Sequence, residues 1–252
     1  MCLILFAYQQ HADYPLIMLS NRDEFFSRPT QAAHFWPDFP DIFAGRDSEA
    51  QGTWLGINKN GRIAAVTNFR EAIPDPGHRL SRGELTTEFL RGNENATSYL
   101  QNIDNKQHRY AGFNLLIGTT EQLYYYSNRR RLIQQLPIGI HGLSNSLLNS
   151  PWPKVDSGKA ALEQQIQQLD RQALIDILLD TQQPDDVLLP NTGVGVEAER
   201  MLGSRFIHSE HYGTRAASLV LIDNNGNIDF IEQTFLPDGN KGQITDQRIN
   251  RY

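Results

Sequence analysis

Asn60-Gly61 and Asn225-Gly226, dipeptides of the kind that reverse a chain, each stand between two apolar runs. That arrangement constrains the fold more than any other feature, because two short apolar runs joined by such a turn pair most readily as an antiparallel hairpin. Residues 53–58 and 62–68 flank the first dipeptide, whose residues tolerate the positive φ angles of a type I′ turn. Residues 218–223 and 228–234 flank the second, and residues 112–118 with 122–127 supply a third hairpin without the dipeptide. A fourth is expected at the start, where residues 2–8 and 14–20 bracket Gln9-Gln10-His11-Ala12-Asp13. A turn centred on His11 places Tyr8 opposite Tyr14 and Cys2 opposite Ser20.

Helical spacing appears between these hairpins. Ser81 and Glu84 have the spacing of a capping box ahead of Leu85, Phe89 and Leu90. Val155, Leu162, Ile166 and Leu169 recur at helical intervals, and Leu174, Ile175, Leu178 and Leu179 continue after a break. Hairpins at both ends with helices between them predict an α+β protein of mainly antiparallel sheets covered by helices. No repeat and no Gly/Pro/Ser-rich linker divides the chain, so residues 1–252 read as a single domain. The polar stretch 238–252 has little to bury and reads as a tail or surface wrap.

Charge and cysteine content exclude several classes. Lysine and arginine total 23 against 29 acidic residues, a net charge of −6, with no lysine-rich tract for nucleic acid. One cysteine forms no internal disulfide and offers no paired spacing for a zinc or iron–sulfur site, so no metal centre is expected. The apolar start at Cys2 is too short to span a membrane and lacks the flank and cleavage site of a secretory signal. Cytoplasmic location is the expectation.

The same cysteine carries the chemistry. With Cys2 opposite Ser20, Arg22 lies diagonally across, roughly 7–8 Å away and within reach of its side chain. Asp23 points to the other face unless the strand bends. Cys2 also follows the initiator methionine, and loss of that residue exposes an α-amine whose pKa of about 7.7–8.0 suits it as base for its own thiol. Arg22 favours the thiolate, Asp23 orients the amine, and the side-chain amides of Asn68 and Asn145 are candidate donors to an oxyanion.

The run Ser20-Asn21-Arg22-Asp23-Glu24 after a Met-Cys start resembles the NRDE family, also called the transport and Golgi organisation family. The likeness extends through Trp54-Leu55-Gly56-Ile57, Val66-Thr67-Asn68-Phe69-Arg70, residues 141–146, residues 151–155 and Tyr212-Gly213-Thr214-Arg215. The family is similar to the N-terminal nucleophile (Ntn) hydrolases, which implies a four-layer αββα sandwich. It implies that Cys2, Arg22, Asp23, Asn68 and Asn145 form the site, with either Arg205 or Arg215 as a later arginine that binds substrate. Hydrolysis of a carbon–nitrogen bond or acyl transfer needs no cofactor there. The family's link to haem trafficking and acyl-thioester handling implies the alternative, a non-enzymatic carrier of a small molecule. Haem would be held noncovalently, since the chain has no CxxCH motif. Its seven histidines, His11, His34, His78, His108, His141, His208 and His211, are the other available ligands, and none stands out by spacing.

Two further features carry less. Gly193-Val194-Gly195 lacks the third glycine and preceding strand of a dinucleotide fingerprint, and no phosphate-binding loop is present. Arg129-Arg130-Arg131 reads as a solvated turn rather than an anion contact.

Overall fold

Strand β1 (Cys2–Tyr8) is buried along its whole length, and its two faces enter different cores. Ile4, Phe6 and Tyr8 pack into one apolar cluster, while Leu3, Leu5 and Ala7 pack into another. A strand with apolar residues at every position must be covered on both faces, which excludes a sheet open to water on one side. The protein meets this with two sheets face to face and helices outside each, a four-layer sandwich. The computed structural model describes residues 2–72 and 80–251, and His78 lies outside them.

After β1 come β2 (Leu16–Phe25), β3 (Thr30–Trp36), β4 (Phe39–Asp47), β5 (Leu55–Asn58) and β6 (Ile63–Asn68). Helices α1 (Gly83–Arg91) and α2 (Ala96–Lys106) lead to β7 (Phe113–Gly118), β8 (Leu123–Ser127), β9 (Leu132–Gln135) and β10 (Gly139–Leu143). Helices α3 (Pro153–Gln165), α4 (Arg171–Leu178) and α5 (Val196–Met201) precede β11 (Tyr212–Ile222), β12 (Ile228–Phe235) and β13 (Lys241–Ile249). The first sheet has the order β10-β1-β2-β11-β12-β13 and the second runs β3 to β9 in sequence order. Helices α3 and α4 cover the first sheet; α1 and α2 cover the second. The inter-sheet core joins Phe6 and Phe230 of one sheet to Phe43, Ile57 and Leu116 of the other. Among the described residues no helix is long and apolar enough to cross a membrane.

The hairpins expected from sequence around residues 60, 120 and 225 all form. Four local details differ from expectation. The first hairpin pairs Tyr8 with Leu16 and Cys2 with Arg22, two residues away from the register that a turn on His11 dictates. Pro15 has no amide to place in the ladder, so the loop takes in residues 9–15 and closes with Gln9 N donating to the Pro15 carbonyl at 2.8 Å. At Asn60-Gly61 only Gly61 has positive φ, so the turn is not type I′, and Asn58 Oδ1 instead accepts the amides of Asn60 and Arg62. Asn68, the last residue of β6, pairs with Phe113 of β7.

At α1 the capping box does not close. Ser81 Oγ accepts from Gly83 N at 3.3 Å, while Glu84 turns outward to take the Tyr110 hydroxyl at 2.9 Å. The polar segment 238–252 supplies β13, an edge strand on β12. Its composition follows from its position, since an edge strand pairs on one side only and most of these side chains are solvated.

Candidate functional site

Cys2 and Arg22 are directly opposed in the β1–β2 ladder, so both side chains leave the same face of the first sheet. That face is the inter-sheet side, shared with Ile4 and Met18. The core ends there and becomes polar. Arg22 crosses between the sheets: Nη1 donates to Thr30 Oγ1 at 2.6 Å, Nη2 meets Asp47 Oδ2 at 3.1 Å, and the guanidinium lies 4.2 Å over the Trp54 ring. Asp47 is held from several sides. Arg28 Nε reaches Oδ2 at 2.6 Å, and the amides of Glu49 and Ala50 donate to Oδ1. These partners keep the Asp47 carboxyl below its usual range even though burial opposes them.

Asp23 faces the other way, as strand alternation requires. It is buried, takes the Thr214 hydroxyl on Oδ1 at 2.8 Å, and its carbonyl accepts the Tyr212 hydroxyl at 2.9 Å. No sharp turn of β2 is needed to bring it near Cys2, because the register sets Asp23 one step beyond Arg22, the residue opposite Cys2. A bulge at Arg215 in β11 lies opposite this step. The Asp23 amide donates toward the Cys2 thiol. Burial pushes the thiol up from its ordinary value and the Asp23 charge adds to this, against the opposing pull of Arg22. The resting group is therefore a neutral thiol.

A buried lysine lies on the Asp23 side. Lys154, in the first turn of α3, donates from Nζ to the Leu202 carbonyl at 2.9 Å, and burial brings it down to about 8 while Asp23 opposes that shift. Burial pushes Asp23 up, with Lys154 the leading opposing charge. Beyond Lys154, Arg70 and Glu199 form a buried ion pair, and Arg70 stacks on Trp152 at 4.7 Å.

The two asparagines meet where β6 and β10 end. Asn145 Nδ2 donates to the Asn68 carbonyl at 2.9 Å and the Asn145 carbonyl accepts from Arg70 N, so Asn145 joins the two sheets. The adjacent Ser144 Oγ donates to the Cys2 carbonyl at 3.3 Å. The Asn68 side-chain amide has no hydrogen-bond partner among the described residues, and it lines a cleft of about 350 Å³ together with Cys2, Arg22, Asp23, Trp54 and Arg82.

Neither later arginine lines this cleft. Arg205 is occupied on the α3–α4 side by Ser157, Asp180 and the Ile177 carbonyl. Arg215 donates to the carbonyls of Phe25, Phe26 and Arg28, bracing the loop that carries Arg28. None of the described histidines lines it either. His141 is held through both ring nitrogens by the Pro137 carbonyl and Asn149. His208 and His211 lie outside any helix, and Arg129 and Arg131 pair with Glu71 and Asp104. Asp47, Arg82 and Lys154 have no sequence signal of their own. Trp54 and Lys154 fall within the blocks that carry the family likeness, but a block does not say which side chain reaches the site.

The arrangement offers a thiol at a cleft, a guanidinium opposite it, a buried carboxyl with a buried ammonium behind, and an unengaged amide. These are the parts for attack on a carbonyl and stabilisation of the resulting oxyanion.

Comparison with known proteins agrees with this architecture. Residues 1–237 match the model of the family described as Transport and Golgi organisation 2. The mouse Transport and Golgi organization 2 homolog is 34% identical, with 94% of each chain covered. The Drosophila melanogaster Transport and Golgi organization protein 2 is 30% identical, over 93% of this chain and 92% of that protein. Among solved structures, the Caenorhabditis elegans N-acylethanolamine-hydrolyzing acid amidase ortholog superposes with a TM-score of 0.55. That match covers 87% of this chain and 92% of the other at 10% identity, a likeness of fold.

Proposed function

From a chain that belongs to the Transport and Golgi organisation 2 family and has an Ntn-hydrolase-like fold, we propose a Cys2-dependent hydrolysis of a carbon–nitrogen bond in a small molecule, or transfer of its acyl group. The observation that carries the reading is the cleft itself, where Cys2 faces Arg22 and the Asn68 amide is unengaged.

Removal of Met1 gives Cys2 its own α-amine. The amine takes the thiol proton as sulfur attacks the carbonyl carbon, and Arg22 stabilises the developing thiolate that burial disfavours. The oxyanion is met by the Asn68 amide. The carbon–nitrogen bond breaks, the ammonium proton goes to the leaving amine, and an acyl-Cys2 thioester remains. Water then adds to the thioester and releases the acid, or an acceptor amine takes the acyl group. Asp23, held by Thr214 and balanced by Lys154, orients the α-amine in this scheme.

Intact mass spectrometry tests it. The expected results are loss of the initiator methionine and, on incubation with a panel of N-acyl amides, an adduct of one acyl mass on Cys2 that is absent from Cys2→Ala. A fully Cys2-exposed protein that forms no adduct and turns over no amide overturns the reading. Noncovalent haem binding is the second reading, and what favours it is the Cys2 thiol as a ligand in the cleft. A haem spectrum that titrates to saturation and is lost in Cys2→Ala is its signature.

A further inference from the structure

Among the described residues, three arginines line the cleft: Arg22, Arg28 and Arg82. Two of them are neutralised. Arg22 and Arg28 share Asp47, and Arg28 also meets Glu49 at 3.4 Å. Arg82 forms no ion pair among the described residues, and the one hydrogen bond its side chain makes to them runs from Nη1 to the Gly112 carbonyl at 3.2 Å. A guanidinium presents five N–H donors in a planar fork suited to a carboxylate. Arg82 thus keeps most of its donors at the wall of a half-enclosed site.

Its position is fixed by backbone packing. Gly83, the first residue of α1, lies so close to Thr53 that a Cβ there would come within 3.2 Å of the Thr53 carbonyl oxygen. The turn carrying Ser81, Arg82 and Gly83 is thereby pressed onto the cleft wall. Glu24 also lines the cleft and acts on Arg82 by charge without reaching ion-pair distance. A monoanion entering here is balanced by the Arg82 guanidinium, while each further negative charge meets Glu24 with no second unpaired arginine among the described residues to offset it. Trp54, Val66 and Leu80 give the same cleft an apolar wall.

We propose that Arg82 anchors a carboxylate on the ligand of the Cys2 cleft, so that the site takes N-acyl amino acids in preference to neutral N-acyl amines. This rests on the reading of the cleft as a site for amides. Apolar wall and unpaired guanidinium then receive the two ends of one molecule.

The test uses matched pairs that differ only in a carboxylate: N-butanoyl-, N-octanoyl- and N-palmitoylglycine against the corresponding ethanolamides. Affinities are measured by calorimetry on Cys2→Ala, which removes turnover. A charge-assisted hydrogen bond contributes about 1.5–3 kcal/mol, so the glycine member of at least one pair should bind about 10- to 150-fold more tightly. In Cys2→Ala carrying Arg82→Gln that preference should vanish while affinity for the ethanolamide stays, which shows that the variant is folded. Arg82→Lys should restore part of it. Equal affinity within every pair, no binding of any member, or a preference that survives Arg82→Gln overturns the proposal. Intact mass of the wild-type protein with the same compounds separates the two readings. Acylation of Cys2 without any carboxylate preference removes the Arg82 site alone. A carboxylate preference without acylation by any amide supports the Arg82 site and counts against the hydrolase.

Discussion

Cys2 and Arg22 form a directly opposed pair across two antiparallel strands, and the guanidinium is tied to the other sheet by Thr30 and Asp47. Arg22 therefore does two things at once: it lowers the cost of a thiolate on Cys2 and it joins the layers at the mouth of the cleft.

The first prediction concerns the thiol. Burial holds Cys2 above the ordinary range and Arg22 pulls it down, so the form that retains Met1 should alkylate with an inflection above that of free cysteine. Arg22→Gln should move the inflection higher still. Iodoacetamide rates across a pH series read both shifts, and an inflection below free cysteine overturns the assignment.

Asn68 and Asn145 should separate cleanly. Asn145 spends its amide on the Asn68 carbonyl, so Asn145→Ala should cost stability, about 1–3 kcal/mol for a lost buried partner, measured by urea denaturation. Asn68→Ala should leave the urea midpoint nearly unchanged and lower turnover about 100-fold, the usual order for one oxyanion donor. Equal activity of Asn68→Ala and wild type would remove that role.

Part of this site could be read in the sequence and part could not. Cys2, Arg22 and Asp23 are near in sequence to one hairpin, and hairpin pairing is a local rule. Even so, the register came out two residues away, because Pro15 lengthens a loop whose centre looked like His11. Asp47 reaches Arg22 only after β3 and β4 fold over, and Lys154 reaches the Asp23 side through a helix placed by packing on β1 and β10. Contacts set by the stacking of layers leave no periodic trace. The edge strand β13 was hidden for a different reason: its backbone is paired while most of its side chains face water, so its composition resembles that of a tail.

Asp47 is the most exacting of the contacts that sequence did not reveal. It serves Arg22, Arg28 and two loop amides, and its loss leaves the nearly inaccessible Arg22 without its counter-charge. Removing one partner of a buried pair costs about 3–5 kcal/mol, so Asp47→Ala should be strongly destabilised. Thermal and urea unfolding check it, and a change under 1 kcal/mol, roughly that of an exposed pair, contradicts it.

Glu232 gives the protein a pH signature. It is buried on β12, accepts the Ala33 amide of the other sheet at 2.7 Å and the Ser218 hydroxyl at 3.3 Å, and burial pushes it up to about 7. The folded carboxyl keeps its proton to a higher pH than the unfolded one, so the folded state binds more protons in between. Its contribution is therefore fully present below the unfolded value of 4.5 and is lost as pH rises through about 7. Glu232→Gln should gain about 3 kcal/mol on wild type between pH ~4.5 and pH ~8, from the shift of this one group. Parallel urea curves at the two ends of that range decide it. A wild-type-to-variant difference that does not change with pH contradicts the burial argument.

The place of β1 between β10 and β2 also sets a timetable. Its partner on one side is the next strand to be made, but its partner on the other is about 140 residues downstream, and at about 5–20 residues per second the ribosome needs on the order of ten seconds to supply it. Until β10 arrives, the first strand is zipped on one edge only, and Ile4–Tyr8 stay unpaired on the other. In the finished fold β10 covers the edge of Ile4–Tyr8, and Cys2 is 8% exposed. Under the mechanism proposed above, exposure of the Cys2 amine falls within that interval.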